Sequence, residues 1–427
     1  MCLILKIKSK TIVYKKKSIM SQSHYENAKA KSSASSFLVE THQQEVYTKI
    51  GESNFKARQF HNENNQEETS IVNPETSVAS TVFDSSGNFV EFVFSNSGKF
   101  HKLRSIDLQF TIVNNHANSV GLGPVDFMVS RTEYFLGDRL ISTMHGISNF
   151  IVQQGMSTYD ERNVLKSMTN VDPTAYDENA VLTTGSSKRY STNITGPLKS
   201  MGLFLPGLIQ KLRIVIYFEA ASVFSTSGTV DIAVSDVKCY VDHTKLNKSN
   251  YDKEMLMYKE AGVRLRYISH NYAKHSSAQT ASTESNQKLS NVSGLSSMLY
   301  VFSRDANPSG TGLVTFKAMD SLHLTNGSEN ITGGSDLSGE LLQYRAHRYL
   351  VSDLCSVHNI YPFFFCSDAV NVINNCANTG YLAINSEHHV AHFTPSATDA
   401  TSQIEFLSIN YNNLYIRNGT IVIERTQ

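Results

Sequence analysis

The sequence predicts an all-β chain of sandwich or jelly-roll type, built as two tandem halves. Three observations carry this expectation. Apolar residues recur with a period near two in many short runs, as in Leu212, Ile214, Ile216 and Phe218. Clusters rich in Ser, Asn and Gly punctuate the runs, and almost no long stretch has helical periodicity. The strand rhythm stops after Val241 and restarts near Val263, across the polar link from His243 to Asp252. With 427 residues, of which 40% are hydrophobic, the chain is long enough for two cores.

Residues 1–76 read as a flexible basic and polar arm, with helical character near Tyr25 to Lys31. Eight Lys against Glu26 alone occupy residues 1–31, although the formal net charge of the chain is zero. Lys6, Lys8, Lys10, Lys15, Lys16 and Lys17 therefore form a candidate surface for nucleic acid or membrane, acting through phosphate charge rather than base stacking. Met20 offers an alternative start that would remove all six.

Residues 77–245 read as the first β domain. Phe89 to Phe94 and Leu103 to Val113 open it, and Ile106, Leu108, Phe110 and Ile112 supply one apolar face. Val125 to Val129 and Glu133 to Ile141 follow, with Gly137-Asp138 available for a tight turn. Ile147, Phe150 and Ile151, then Met156, Tyr159, Val164, Leu165 and Met168, shift to helical spacing and predict two short helices. Polar Thr169 to Ser191 follows, with no strand assigned to it. Leu212 to Glu219 and Val230 to Val241 read as an antiparallel strand pair, and a phase slip near Ser235 predicts a β-bulge in the second.

Residues 246–427 read as the second β domain. Its expected strands are Val263 to Tyr272, Met298 to Phe302, Val314 to Met319, Ser321 to Leu324, Ile360 to Phe365, Ile404 to Ile409 and Leu414 to Ile423. Val351 to Asn375 fits no firm element as a whole.

Chemistry-bearing patterns are sparse. His388-His389-x-x-His392 is the one tempting metal cluster, since strand alternation would align His388 with His392, but no acid follows before Asp399. Five Cys without a C-x-x-C pair predict neither zinc nor a disulfide framework, and Cys366, beside Phe363 to Phe365, is expected to be buried. No phosphate-cradling loop or nucleophile elbow occurs. Glu91, Glu219 and Glu405 sit singly in strand patterns, where a solvated face is expected. The composition therefore predicts no enzyme, no cofactor, no metal and no small-molecule substrate. Six Asn-x-Ser/Thr sequons lack a visible secretory leader, and no segment approaches a membrane span.

Certain runs resemble one family. Leu103-Arg-Ser-Ile-Asp-Leu108 resembles an early core strand of the double jelly-roll major capsid proteins of tailless icosahedral double-stranded DNA viruses, the polinton-like, virophage and nucleocytoplasmic large DNA virus lineage. Tyr134-Phe-Leu-Gly-Asp-Arg-Leu-Ile141 resembles the strand that carries a Gly-Gly-x-x-Ile turn before an inserted helix, with Asp138 in place of the second Gly. The segment around Tyr159-Asp-Glu-Arg162 would correspond to that helix. Leu212-Arg213-Ile214 and Asp236-Val-Lys-Cys-Tyr-Val241 resemble the end of the first barrel, and Ile409 to Ile416 with Arg417-Asn-Gly419 resembles the closing strand and its turn.

The resemblance implies two eight-stranded jelly rolls with short helical insertions, and a structural subunit that trimerises into pseudo-hexameric capsomers. Implied partners are further copies of the chain, neighbouring capsomers, penton and minor capsid proteins, and genome or an internal membrane through the arm. The implied location is the virion, after synthesis in the host cytoplasm or nucleus. Two other readings compete: a β-sandwich module binding carbohydrate or protein, and a cupin-like metalloenzyme centred on the three His.

Overall fold

The computed structural model describes residues 65–424, apart from 76–77, 80, 96–97, 178–179, 226–229, 277 and 333–336. In the first half the order is β1 (Gln66–Val72), β2 (Phe89–Phe94), β3 (Lys102–Asn114), β4 (Val120–Leu122), β5 (Val129–Leu136), β6 (Arg139–His145), α1 (Gly146–Met156), α2 (Tyr159–Thr169), β7 (Ala180–Leu182), β8 (Ser187–Asn193), α3 (Leu198–Met201), β9 (Leu212–Phe218), α4 (Ala221–Phe224) and β10 (Ile232–Lys245). After α5 (Lys248–Leu256) the second half runs β11 (Val263–Ser276), β12 (Ser285–Lys288), β13 (Gly294–Asp305), β14 (Met319–Asn326), β15 (Glu329–Asn330), α6 (Gly339–Ala346), α7 (Leu354–Val357), β16 (Tyr361–Phe364), α8 (Ala369–Asn375), β17 (Leu382–Ile384), β18 (His389–Pro395), β19 (Ser402–Arg417) and β20 (Thr420–Glu424).

Each half folds into two antiparallel sheets. The first half pairs its strands in the orders β1-β10-β3-β8 and β2-β9-β5-β6, with β4-β7 as a small extra ribbon. The second uses β11-β19-β13-β16, to which β17 and β20 add, and β12-β18-β14-β15. Two antiparallel sheets closed on a common core make a jelly roll, and in the second half two further strands extend one of them, so the architecture is two jelly rolls in tandem with short helical insertions.

Aromatic side chains fill the first roll. Phe110 from one sheet meets Phe218 from the other at a ring-centroid distance of 5.8 Å, and Phe83 packs edge-on against both. Burying each such ring contributes about 1.5–3 kcal/mol. Along β10 the register slips between Ser235 and Lys238, and Asp236 takes a left-handed φ of 54°. This is the bulge that the apolar phase slip predicts. At the β5–β6 hairpin, Leu136 pairs with Arg139, and Gly137 adopts a φ of 60° that a residue with a Cβ would resist.

The second roll has its own core, where Leu299, Val301, Ile404 and Phe406 meet Leu322, Leu324, Ala391 and Phe393. Opposite faces of the same β13 and β19 strands carry Met298, Tyr300, Phe302, Leu407 and Ile409, and these belong to one continuous core with the first roll. Hydrogen bonds stitch the halves together. The Phe204 amide donates to Tyr258 Oη at 3.0 Å, the Val351 amide to the Gly155 carbonyl at 3.1 Å, and Lys199 Nζ to Asn374 Oδ1 at 2.7 Å.

Four sequence expectations are corrected. First, β9 and β10 do not pair: β9 lies between β2 and β5, and β10 between β1 and β3, in opposite sheets. Their connection crosses the end of the roll, because the Ala221 amide bonds the Phe83 carbonyl and the Gly123 amide bonds the Phe224 carbonyl. Second, β1 lies inside the stretch 1–76 expected as an arm. It pairs with β10 from Gln66–Lys245 to Val72–Cys239, and backbone pairing holds it despite its exposed side chains.

Third, the polar stretch from Thr169 to Ser191 contains β7 and the start of β8, whose Tyr190 and Thr192 alone point inward. Fourth, Tyr159, Val164 and Leu165 are exposed on α2, which buries only Arg162. A capping box between Thr158 and Glu161 starts that helix, so local capping rather than an apolar face fixes it. The helical expectation for Tyr25 to Lys31 lies outside the described residues.

Candidate functional site

Lys6, Lys8, Lys10, Lys15, Lys16 and Lys17 also lie outside the described residues. The three His of the candidate metal cluster do not converge. His388 sits in the turn before β18 and is exposed, so the expected strand alignment with His392 fails. His389 is buried, and its Nδ1 bonds the backbone of Asn385. His392 points the other way, stacked on His323 at 4.5 Å and bonded to Thr325 Oγ1 and Glu284. Among the described residues no cluster of three or more His, Cys, Asp or Glu is arranged to hold a metal ion. Cys239, Cys355, Cys366 and Cys376 are all buried free thiols, and burial pushes the Cys355 and Cys366 thiols up, away from nucleophilic thiolate. Among the described residues no helix is long and apolar enough to cross a membrane.

Polar side chains converge instead between the rolls. Two adjoining clefts of about 400 and 450 Å³ share His145 and Tyr272 and form one groove. One wall is β6 with the start of α1; the other is β11. Gly146 brings the start of α1 against the loop beneath it, since an added Cβ would collide with the carbonyl oxygens of Asp126 and Val129.

Beneath the groove lies a buried ion pair. Arg304 Nε donates to Glu405 Oε1 at 2.6 Å, and the two side chains are 8% and 0% exposed. Tyr272 Oη donates to Glu405 Oε2 at 2.5 Å, Gln403 donates to Oε1, and Arg304 Nη1 donates to the Leu313 carbonyl. Burial and the neighbouring carboxylate push the Tyr272 hydroxyl up, so it stays a donor. The expectation of a solvated Glu405 is therefore corrected. Glu405 occupies a fully buried position at the junction, where both of its carboxylate oxygens accept hydrogen bonds. Glu91 is likewise ion-paired with Arg213 at 2.5 Å rather than simply solvated, and Glu219 accepts from Ser86.

Two histidines line the groove. Burial, then the Arg131 and Lys274 charges, lower His145 to about 4. Burial, then His145 itself, lower His270 to about 4, so both rings are neutral at physiological pH. Below α1, buried Asp126 forms no ion pair among the described residues. Burial raises it to about 6, against hydrogen bonds donated by Thr192 Oγ1 at 2.6 Å and Asn149 Nδ2 at 2.8 Å. No single motif could have revealed this groove, whose walls come from residues more than a hundred positions apart.

Neither a family model nor a curated protein matches the sequence. Solved structures match its shape. PBCV-1 VP54, in a crystal structure fitted into a cryo-EM reconstruction of the virophage Sputnik, aligns with a TM-score of 0.65 at 12% identity, covering 85% of this chain and 97% of that one. The Faustovirus major capsid protein gives 0.58 at 8% identity over 82% and 90%. The cryo-EM structure of the Sputnik virophage gives 0.56 at 11% identity over 84% and 88%. The likeness is one of fold: the chain has the double jelly-roll fold of those proteins.

Proposed function

We propose that the chain is a major capsid protein, a structural and non-enzymatic subunit of a virion. In this reading it trimerises into pseudo-hexameric capsomers that tile an icosahedral shell. The observation that carries it is the welding of two rolls, each of two antiparallel sheets, into one unit through a shared core. Three such units around a threefold axis present six similar barrels, a near-hexagonal tile that packs against its neighbours. The solved structures with the same fold include proteins named as major capsid proteins, which supports the reading. We take residues 66–245 and 246–427 as the two rolls. Further proposed partners are neighbouring capsomers, penton and minor capsid proteins, with the arm lysines Lys6 to Lys17 reaching genome or an internal membrane.

Light scattering during gel filtration of the purified chain tests this. The expected species is a trimer that persists on dilution. A monomer at every concentration would overturn the trimer, and turnover of any added substrate would overturn the non-enzymatic role.

A further inference from the structure

The sheet β1-β10-β3-β8 turns alternate side chains of each strand away from the core of the first roll. On that outward face Asp107 and Gln109 sit two positions apart on β3, about 6.6 Å along the strand. Cross-strand register sets Tyr240 of β10 on one side of Asp107 and Asn193 of β8 on the other. The helix α2 lies against β8. Its Leu165 and Met168 line, with those four residues, a cavity of about 460 Å³. Small-molecule sites typically enclose about 300–1,000 Å³.

Two acceptors in this cavity are under-supplied. Asp107 forms no ion pair among the described residues, and its carboxylate accepts from Asn193 Nδ2 at 2.8 Å and, at the outer limit of 3.5 Å, from Ser105 Oγ. Burial raises the Asp107 carboxyl above its usual range, as expected of a carboxylate short of compensation. Gln109 is 8% exposed, and its Oε1 has no hydrogen-bond partner among the described residues. Lys238 pairs with Gln109 across the ladder, but both Asp236 oxygens hold its ammonium at 3.0 Å, at the bulge. A carboxylate, a carboxamide oxygen and an aromatic ring together recognise an organic cation. The aliphatic Leu165 and Met168 suit methylenes attached to it.

We propose that this cavity binds a primary ammonium carried on an aliphatic chain. The ammonium donates to Asp107 and Gln109 Oε1 and lies against the Tyr240 ring, while the chain packs on Leu165 and Met168. The site does not depend on the capsid reading, since it is formed within one copy of the chain.

The probe is hexylamine, protonated at pH 7, titrated into the full chain carrying ¹³C-methyl methionine, with the Met168 signal assigned through Met168→Leu. A saturable shift of the Met168 methyl signal is expected. Hexanol should bind at least about fivefold more weakly and hexanoate not at all, and Asp107→Asn should weaken hexylamine by a similar factor while leaving hexanol unchanged. The comparison of the three probes needs no variant, so it decides even if Asp107→Asn misfolds. Absence of saturation up to about 20 mM, equal affinity for hexanol, or shifts at other methionines with Met168 unmoved would each overturn the proposal. A second arm uses Nα-acetyl-lysine amide, which presents the same ammonium as a protein side chain. Tighter binding than hexylamine identifies the source as a lysine of another chain, weaker binding as a free amine, and either supports the site.

Discussion

The two sheets of the second roll obey opposite rules of burial. β18, in the outer sheet, alternates strictly: His389, Ala391, Phe393 and Pro395 are buried, while Val390, His392 and Thr394 are partly exposed. β19, in the inner sheet, buries ten residues in succession from Ser402 to Tyr411. The outer sheet has one core and one wet face. The inner sheet is a wall between two cores, with Ile404 and Phe406 facing its own roll and Leu407 and Ile409 facing the first. An antiparallel sheet buried on both faces loses the alternation that a half-solvated sheet keeps. It also has no solvated face for polar groups, so Glu405 must be neutralised by Arg304.

The harshest way to break this contrast is to remove the end of the inner sheet. Deleting Tyr411 to Gln427 strips half of β19 and all of β20, uncovering both cores at once. The expected product is insoluble, and a soluble, cooperatively melting deletion on gel filtration would refute the two-sided wall. Next in size, Glu405→Ala leaves Arg304 as an unpaired buried charge and should cost about 3–5 kcal/mol in urea unfolding. The double variant Arg304→Met with Glu405→Leu should recover most of that loss. A double variant whose loss equals the sum of the two single losses would mean that the pair is not energetically coupled.

Acid sharpens the contrast from the groove side. The His145 and His270 values are depressed in the folded chain, so the unfolded chain takes up protons first as pH falls. Stability is fully present above about pH 6.5 and is lost as pH falls through about 4, by about 3 kcal/mol for each ring. Arg131 and Lys274 deepen this loss for His145, and Glu133 opposes it. Replacing both rings by Gln should flatten the melting profile between those limits, and an unchanged profile would remove the histidines from the junction's acid response. The smallest effect belongs to the outer sheet: Val390→Thr, on the wet face of β18, should shift stability by no more than about 0.5 kcal/mol.

The same contrast explains what the sequence could and could not tell. Strands with one wet face were legible, as in β3, where Ile106, Leu108, Phe110 and Ile112 are buried behind partly exposed Asp107 and Thr111. The bulge at Ser235 and the Gly137 turn were legible because each needs only local chemistry. Sheet membership was not. β9 and β10 are neighbours in sequence with matching periodicity, yet the crossing at Phe224 sends them to opposite sheets, a fact set by packing at the roll's end. Glu405 was misread because its neutraliser lies 101 residues away. The groove escaped notice for the same reason, since Ser142, His270 and Asn410 meet only after both rolls have formed.

The central claim is that two rolls welded by one shared core serve as a shell subunit, and electron microscopy of the purified full chain tests it most directly. The account predicts six-lobed particles, each built from three copies, with the two lobes of a copy held in a fixed relation. Single two-lobed particles at all concentrations, or lobes that vary in their relation from particle to particle, would contradict it.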